Sequence, residues 1–306
     1  MATTFRSKNK SLADLAGTIL NEEHPMTLRQ LFYRCVSRGA LQNSQAEYKR
    51  LGSVATRLRE DEEIPRNWIV DHVRSTLKPS SWSGLADFAD TVRHAYRKDF
   101  WQQQRHYIEV FVEKDAVAGT IHPITAEYDL PLRVVRGYSS ISFAGEIADL
   151  WKKITKPIFC YYLGDFDPSG FDLERDLREK LERYADRQAY TRGDWDQHGR
   201  HVLGNPDYMQ PFVWQRLGVR RTDFKAFDLV ALPVKPSDKR SRGFVAKFGD
   251  KCAELDALPP TELRDRVRSA IHEHIDWESW QRLERVEQAE QETLNKFVKS
   301  LRKKAS

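Results

Sequence analysis

The sequence predicts an α/β protein, with a helix-covered parallel sheet set behind a basic, helical N-terminal unit. Three observations carry this expectation. From Tyr107 onward, short apolar runs alternate with helical patterns, as they do when a parallel sheet is covered on both faces. Before that point, three helical patterns follow one another, the second with a recognisable capping box and a closing glycine. The first 105 residues hold 17 Lys and Arg against 12 Asp and Glu, so the whole net charge of +5 sits there. An excess of that kind points to a polyanion-binding module joined to a neutral body.

At 306 residues the chain is long for one compact core and suits two domains. Hydrophobic residues make up 40% and charged residues 31%, which fits a folded, well-solvated chain. No apolar run approaches the ~20 residues that span a bilayer, and the basic start lacks the apolar core of a signal peptide. A cytoplasmic, nucleoid-associated location with no membrane partner is expected. Cys35, Cys160 and Cys252 are far apart and form no C-x-x-C pair, so buried free thiols are expected rather than a zinc site.

The first helix is expected over Ser11–Asn21, with Leu12, Leu15, Ile19 and Leu20 on one face. The second, Thr27–Arg38, opens on Thr27-x-x-Gln30, a capping-box signature, and Gly39 ends it. Its apolar stripe is Leu28, Leu31, Phe32, Cys35 and Val36, with Tyr33 beside the stripe and not in it. A third helix is expected over Ser44–Glu60. The stretch Ile64–Val73, with Pro65, Trp68, Ile69 and Val70, reads as a short hairpin or wing. Three helices and a wing in a basic segment suggest a winged helix-turn-helix, a DNA-binding design. A small helical bundle without a nucleic-acid role is the plainer reading of this segment alone.

A helical connector rich in aromatic and basic residues follows over 80–105. Strands are expected at Tyr107–Val112, Leu132–Arg136, Pro157–Leu163 and Asp228–Val234. Helices are expected at Ala116–Tyr128, Phe143–Lys153 and Gly170–Tyr184, with Arg187–Pro211 an irregular insertion. Two late helices, Thr261–His274 and Trp277–Lys304, close the chain, and the last could serve dimer or partner contacts. The expected division is 1–80, 81–105, 106–260 and 261–306.

Two expected strands end in acids. IEVFVEKDA delivers Glu113, and PIFCYYLGDFDPSG delivers Asp165 and Asp167. Ligands bind at the carboxyl ends of strands in open α/β sheets, so both acid sets fall on one edge. Converging carboxylates repel unless a cation holds them, and oxygen-only ligands suit Mg²⁺ working on phosphates. A single D-x-D is more often a solvated loop. The combination with a strand-terminal Glu, D-x-D-P-x-G and a βαβ pattern is far more specific.

The second helix offers a nucleophile. Arg29 and Tyr33 are four apart and share a helix face. A phenol of pKa ~10 is a poor nucleophile at neutral pH, and a nearby guanidinium would favour the phenolate and hold a phosphate. Arg34 and Arg38 lie close by, and Arg57 and Arg59 follow on the third helix as further phosphate-binding candidates. The alternative is an ordinary tyrosine at a helix boundary. Lys235, Asp238 and Arg240 read more readily as a surface turn.

Together these motifs resemble the A subunit of topoisomerase VI and the related meiotic double-strand-break protein. Arg29, Phe32 and Tyr33 match the family's Arg-x-x-(Tyr/Phe)-Tyr motif, whose last aromatic is catalytic. Glu113 and Lys114 match the Glu-Lys pair of its Toprim domain, and Asp165, Asp167, Pro168 and Gly170 match its Asp-x-Asp-Pro-x-Gly loop. By layout the resemblance covers roughly residues 10–300, and by motif about 30 of them. The chain looks most like the stand-alone mini-A group of bacterial and phage mobile elements. It departs from the family at Ser139 and Ser140, which stand where a Pro-Asp pair is usual, and no matching Arg follows.

The resemblance implies a CAP-like winged-helix domain, a Toprim α/β domain and a C-terminal helical extension. It implies a homodimer that cuts double-stranded DNA, with the tyrosine of one protomer meeting the metal site of the other. Tyr33 and Arg29 would be catalytic, and Glu113, Asp165 and Asp167 would bind Mg²⁺, for which Mn²⁺ could substitute. Arg34, Arg38, Arg57, Arg59 and Lys114 would contact DNA. No G-x-x-x-x-G-K-[ST] loop is present, so ATP would act through a separate B-type ATPase subunit. Two rivals are a hydrolytic Toprim nuclease of a mobile-element or defence system and a non-catalytic DNA-binding protein.

Overall fold

The computed structural model describes residues 7–69, 81–191 and 211–305. Three helices open the chain: α1 (Ser7–Glu23), α2 (Leu28–Ser37) and α3 (Gln45–Glu60). The capping box on α2 is formed. The Gln30 N–H donates to Thr27 Oγ1 at 3.1 Å, and the Thr27 N–H donates to Gln30 Oε1 at 2.8 Å. Gly39, at φ +72°, turns the chain out of α2. Ser44 caps α3 by accepting from the Glu47 N–H. The hairpin expected over Ile64–Val73 is not seen in its described part. Residues Arg66–Trp68 form a 3₁₀ turn, Ile69 makes one parallel bridge to Met26, and 70–73 lie outside the described residues.

After α4 (Leu85–Ala95) the chain runs β1 (Tyr107–Val112), α5 (Asp115–Glu127), β2 (Leu132–Val134), α6 (Ile141–Trp151), β3 (Ile158–Leu163), α7 (Pro168–Ala185), β4 (Ala189–Thr191) and β5 (Phe212–Arg216). These five strands form one parallel sheet in the order β2-β1-β3-β5-β4. β2 stops before Arg136 because Arg136 and Gly137, at φ 52° and 87°, turn the chain away.

Two sheet expectations are corrected. The run Asp228–Val234 does not join the parallel sheet. It follows α8 (Asp223–Ala226), and Asp228 is left-handed at φ 49°. Only β6 (Leu232–Pro233) forms, antiparallel to β7 (Lys251–Cys252) beyond α9 (Ser241–Phe248). Pro233 has no N–H to donate, which keeps that ladder short. The strand that extends the sheet is instead β5, beside β3, with Ala189–Thr191 of the expected irregular insertion paired outside it. Two helices follow: α10 (Pro260–His272) and α11 (Trp277–Ala305).

Alternation along the central strands sorts their side chains into two layers. Ile108, Val110 and Val112 of β1, with Tyr161 and Leu163 of β3, pack into one cluster with α5, α10 and the N-terminal helices. Phe111, Ile158, Cys160 and Tyr162 pack into another with α6, α7, Phe212 and Trp214. Cys35, Cys160 and Cys252 are buried free thiols, as expected. α11 lies against α4, and Lys98 just beyond α4 pairs with Glu290 at 3.0 Å. No helix among the described residues is long and apolar enough to cross a membrane.

Candidate functional site

Parallel pairing places the ends of β1 and β3 side by side, with Val112 opposite Leu163. Glu113 and Asp165 therefore leave the same sheet edge. The Asp165 N–H donates to Glu113 Oε2 at 3.0 Å. Asp167 caps α7, and its Oδ1 accepts from the Gly170 N–H at 2.6 Å and from Ser169 Oγ at 2.8 Å. Pro168 takes the first helical position, where no N–H is needed.

Two glycines permit this crowding. A Cβ on Gly170 would sit 2.6 Å from the Asp165 carbonyl oxygen, and one on Gly164 would sit 2.8 Å from Glu113 Oε2. Arg216, at the end of β5, grips the turn from behind. Its guanidinium donates to the carbonyls of Gly164 and Asp165 and pairs with Glu174.

A further segment closes the site. Phe166 and Ala253 exchange two backbone hydrogen bonds, at 2.8 and 3.0 Å. That bridge brings Glu254 and Asp256 to the acids. The Leu255 N–H donates to Asp165 Oδ1 at 2.7 Å. Lys114 Nζ then sits among three carboxylates: Asp165 at 3.0 Å, Asp256 at 3.1 Å and Glu254 at 3.2 Å. Burial pulls the Lys114 ammonium down, but Asp256, Asp165 and Glu254 outweigh it, and its pKa is raised.

The tyrosine helix meets the same segment. Arg29 pairs with Glu254, and Thr27 Oγ1 donates to Asp256 Oδ1 at 3.4 Å. Arg29 also lies over the Tyr33 ring, 5.9 Å from its centroid. The structure thus brings Arg29, Tyr33, Lys114, Glu113 and Asp165 into one region of a single chain.

Several expectations change. Tyr33 is 5% exposed and belongs to the buried side of α2. Its pKa is raised, by burial first and then by Glu254, with Arg29 and Lys114 only partly opposing. Glu254 takes the Arg29 charge that was expected to favour the phenolate. Lys114, expected on DNA, is the counter-charge of the acid cluster. Arg34 and Arg38 are also engaged: Arg34 bonds Glu23 at 2.6 Å and Arg38 bonds Glu22 at 3.0 Å. Arg57 lies 3.6 Å from Asp61, and Arg59 donates to the Ala55 carbonyl. Partner carboxylates four residues away, or on α1, compete with any phosphate for the first three of these guanidiniums.

Among the described residues, no group of three or more His, Cys, Asp and Glu could hold a metal ion as placed. The donor set nevertheless suits a hard divalent cation. Burial, then the charges of Asp165 and Asp167, push the Glu113 carboxyl up to about 7. Asp165 is raised as well, by burial above all. Carboxylates pressed together at that cost gain most from a cation with oxygen preference.

Glu254, Asp256 and Arg216 were not anticipated. The signal for the first two was present: ELD, directly after the apolar CA, repeats the acid-x-acid spacing of DFD. Arg216 had only its place at the end of the apolar run FVW. Comparison of the chain with protein-family models and with curated proteins gives no match.

Proposed function

We propose that this chain is a DNA-cleaving transesterase of the kind its motifs resemble, with Tyr33 as nucleophile and a Toprim-type acidic site beside it. The observation that carries this reading is the run of charge contacts from Arg29 through Glu254 and Lys114 to Asp165. It sets the tyrosine helix against the acids of the sheet edge. A parallel sheet with acids after two adjacent strands suits a Toprim unit, and three helices, two of them with side-chain N-caps, suit the helical part of a winged-helix unit.

In the proposed step the Tyr33 oxygen bonds to phosphorus while the bond to the deoxyribose 3′ oxygen breaks. The 5′ phosphate stays on the tyrosine, the phenolic proton is lost, and the departing oxygen gains one. Glu113, Asp165 and Asp167 would hold Mg²⁺, which supplies charge neutralisation at the phosphate when bound. Arg29 has a part only once it leaves Glu254, and a DNA phosphate is a suitable competitor for its guanidinium. A homodimer and a separate ATPase subunit follow from the resemblance, but the tyrosine helix here meets the acids of its own chain, unlike the exchange between protomers that the resemblance implies.

The test is to trap protein on DNA. End-labelled supercoiled or bent duplex is incubated with Mg²⁺ or Mn²⁺ and quenched with detergent. Label that travels with protein, and that requires Tyr33 and Asp165, supports the transesterase. One observation favours a second reading, a hydrolytic nuclease: Tyr33 is buried, with its pKa raised rather than lowered. Cut DNA with free ends, still formed by Tyr33→Phe, would select that reading. Absence of cutting with every divalent metal would leave a DNA-binding role.

A further inference from the structure

Behind the D-x-D turn lies a second feature that the proposed chemistry does not use. A cavity of about 760 Å³ opens between α7, β5 and α9. That volume is within the usual range for pockets that hold organic ligands, about 300–1,000 Å³. Pro168, next in the chain to Asp167, is part of its wall. Phe166, the middle residue of D-x-D, packs at 5.5 Å between ring centroids against both Phe171 and Phe244. The cavity and the acid turn therefore share one aromatic support.

The lining is aromatic and cationic together. Phe171 and Phe248 face each other with centroids 4.5 Å apart, and Trp214 and Phe244 add two more rings. Five cationic side chains reach the cavity against two carboxylates, Asp172 and Glu174. Arg175, Arg216 and Arg240 are held by those two acids. Arg178 and Lys247 have no carboxylate partner among the described residues, and Lys247 lies 5.1 Å over the Phe248 ring. Flat apolar faces beside unpaired cations match a ligand with a π-face and a negative charge on the same unit.

We infer that this cavity takes an unpaired nucleotide of a DNA strand, its base against the Phe248 ring, which Phe171 and the Arg216 guanidinium over it back from behind, and its phosphate on Lys247 and Arg178. Bases stack on aromatic side chains whatever their sequence, and cations track the backbone. A paired base inside a duplex cannot offer its face, so the site selects single-stranded or frayed DNA. The inference rests on the proposed function only for the choice of DNA as the polymer.

The test uses the full chain in EDTA, where metal-dependent cleavage cannot occur. Binding of a fluorescein-labelled 12-nucleotide oligodeoxythymidylate is compared with that of a blunt duplex carrying the same label. Phe248→Ala and Lys247→Glu are each expected to weaken strand binding roughly tenfold, the range of one lost stack or phosphate contact. Duplex binding should change less than about twofold. Arg178→Glu, at a half-buried position of α7, gives the same reading should Phe248→Ala disturb folding. Strand binding that is absent, or unchanged in both charge variants, overturns the inference. Free thymidine monophosphate that competes as well as the oligonucleotide, residue for residue, also overturns it in favour of a small-molecule site. Loss of duplex binding with strand binding intact would strike the proposed function and leave the cavity assignment standing.

Discussion

Arg29 on α2 donates to Glu254, 225 residues further along the chain, and so ties the helix of Tyr33 to the segment that holds Lys114. The tie has two consequences. The tyrosine is placed near the sheet-edge acids within one chain, and the arginine that would activate it is occupied. Anything that frees Arg29 should change the phenol.

Glu254→Gln is expected to lower the pKa of Tyr33, since Glu254 is the largest charge raising it after burial. The measurement is an ultraviolet tyrosine titration, read as the difference from a Tyr33→Phe control of each background. An unchanged Tyr33 titration would show that burial alone sets the phenol.

Tyr33→Phe is expected to abolish covalent protein–DNA adducts while duplex binding stays within about twofold, since a single neutral hydroxyl contributes little to phosphate-driven affinity. The detergent-quenched trapping assay reads the first, and fluorescence anisotropy the second. Adducts that persist in the variant would identify another nucleophile.

Lys114→Met is expected to cost about 3–5 kcal/mol in urea unfolding, because it takes the ammonium from the buried Asp165 and Asp256 and leaves Glu254 with Arg29 alone. Arg38→Met removes an exposed pair with Glu22 and a longer contact to Glu23, which keeps Arg34, and should cost no more than about 1 kcal/mol. Equal losses would mean that the buried cluster is no more coupled than the surface one.

Stability should depend on pH and divalent metal together. The folded-state pKa of Glu113, about 7, lies above its ordinary value of 4.5. Its contribution is therefore fully present below pH 4.5 and is lost as pH rises through 7. Without metal, Glu113→Gln should stabilise the protein at pH 8 and matter little at pH 4.5. Mg²⁺ should raise the melting temperature of the wild type more at pH 8 than at pH 5.5. A metal effect of equal size at both pH values, or one that survives in Glu113→Gln, would argue against this carboxylate as a ligand.

Gly170→Ala is expected to disable metal-dependent cutting while the chain still folds. The added methyl would meet the Asp165 carbonyl oxygen at 2.6 Å, so the D-x-D turn has to shift. Circular dichroism should stay near wild type as cleavage falls at least tenfold. Full activity in this variant would show that the turn's placement is unimportant.

The sequence alone determined the local features of this protein. The capping box on α2, the strand at Tyr107–Val112, the strand that delivers Asp165, and the helix that follows the D-x-D turn all follow from neighbours a few residues apart. Periodicity, caps and turn residues act over that range, so they can be read along the chain. It also set the shared edge of Glu113 and Asp165, because parallel strands end together. Only the tertiary structure decided the rest. β5 takes its place because it completes the sheet beside β3, which its own five residues do not announce. Glu254 and Asp256 enter the site because the Phe166–Ala253 bridge folds a distant segment over the acid turn. The partners of Arg29, Lys114, Arg34 and Arg38 were settled in the same way. A charge pairs with the nearest opposite charge in space, and with burial that choice fixes whether a side chain is free to act.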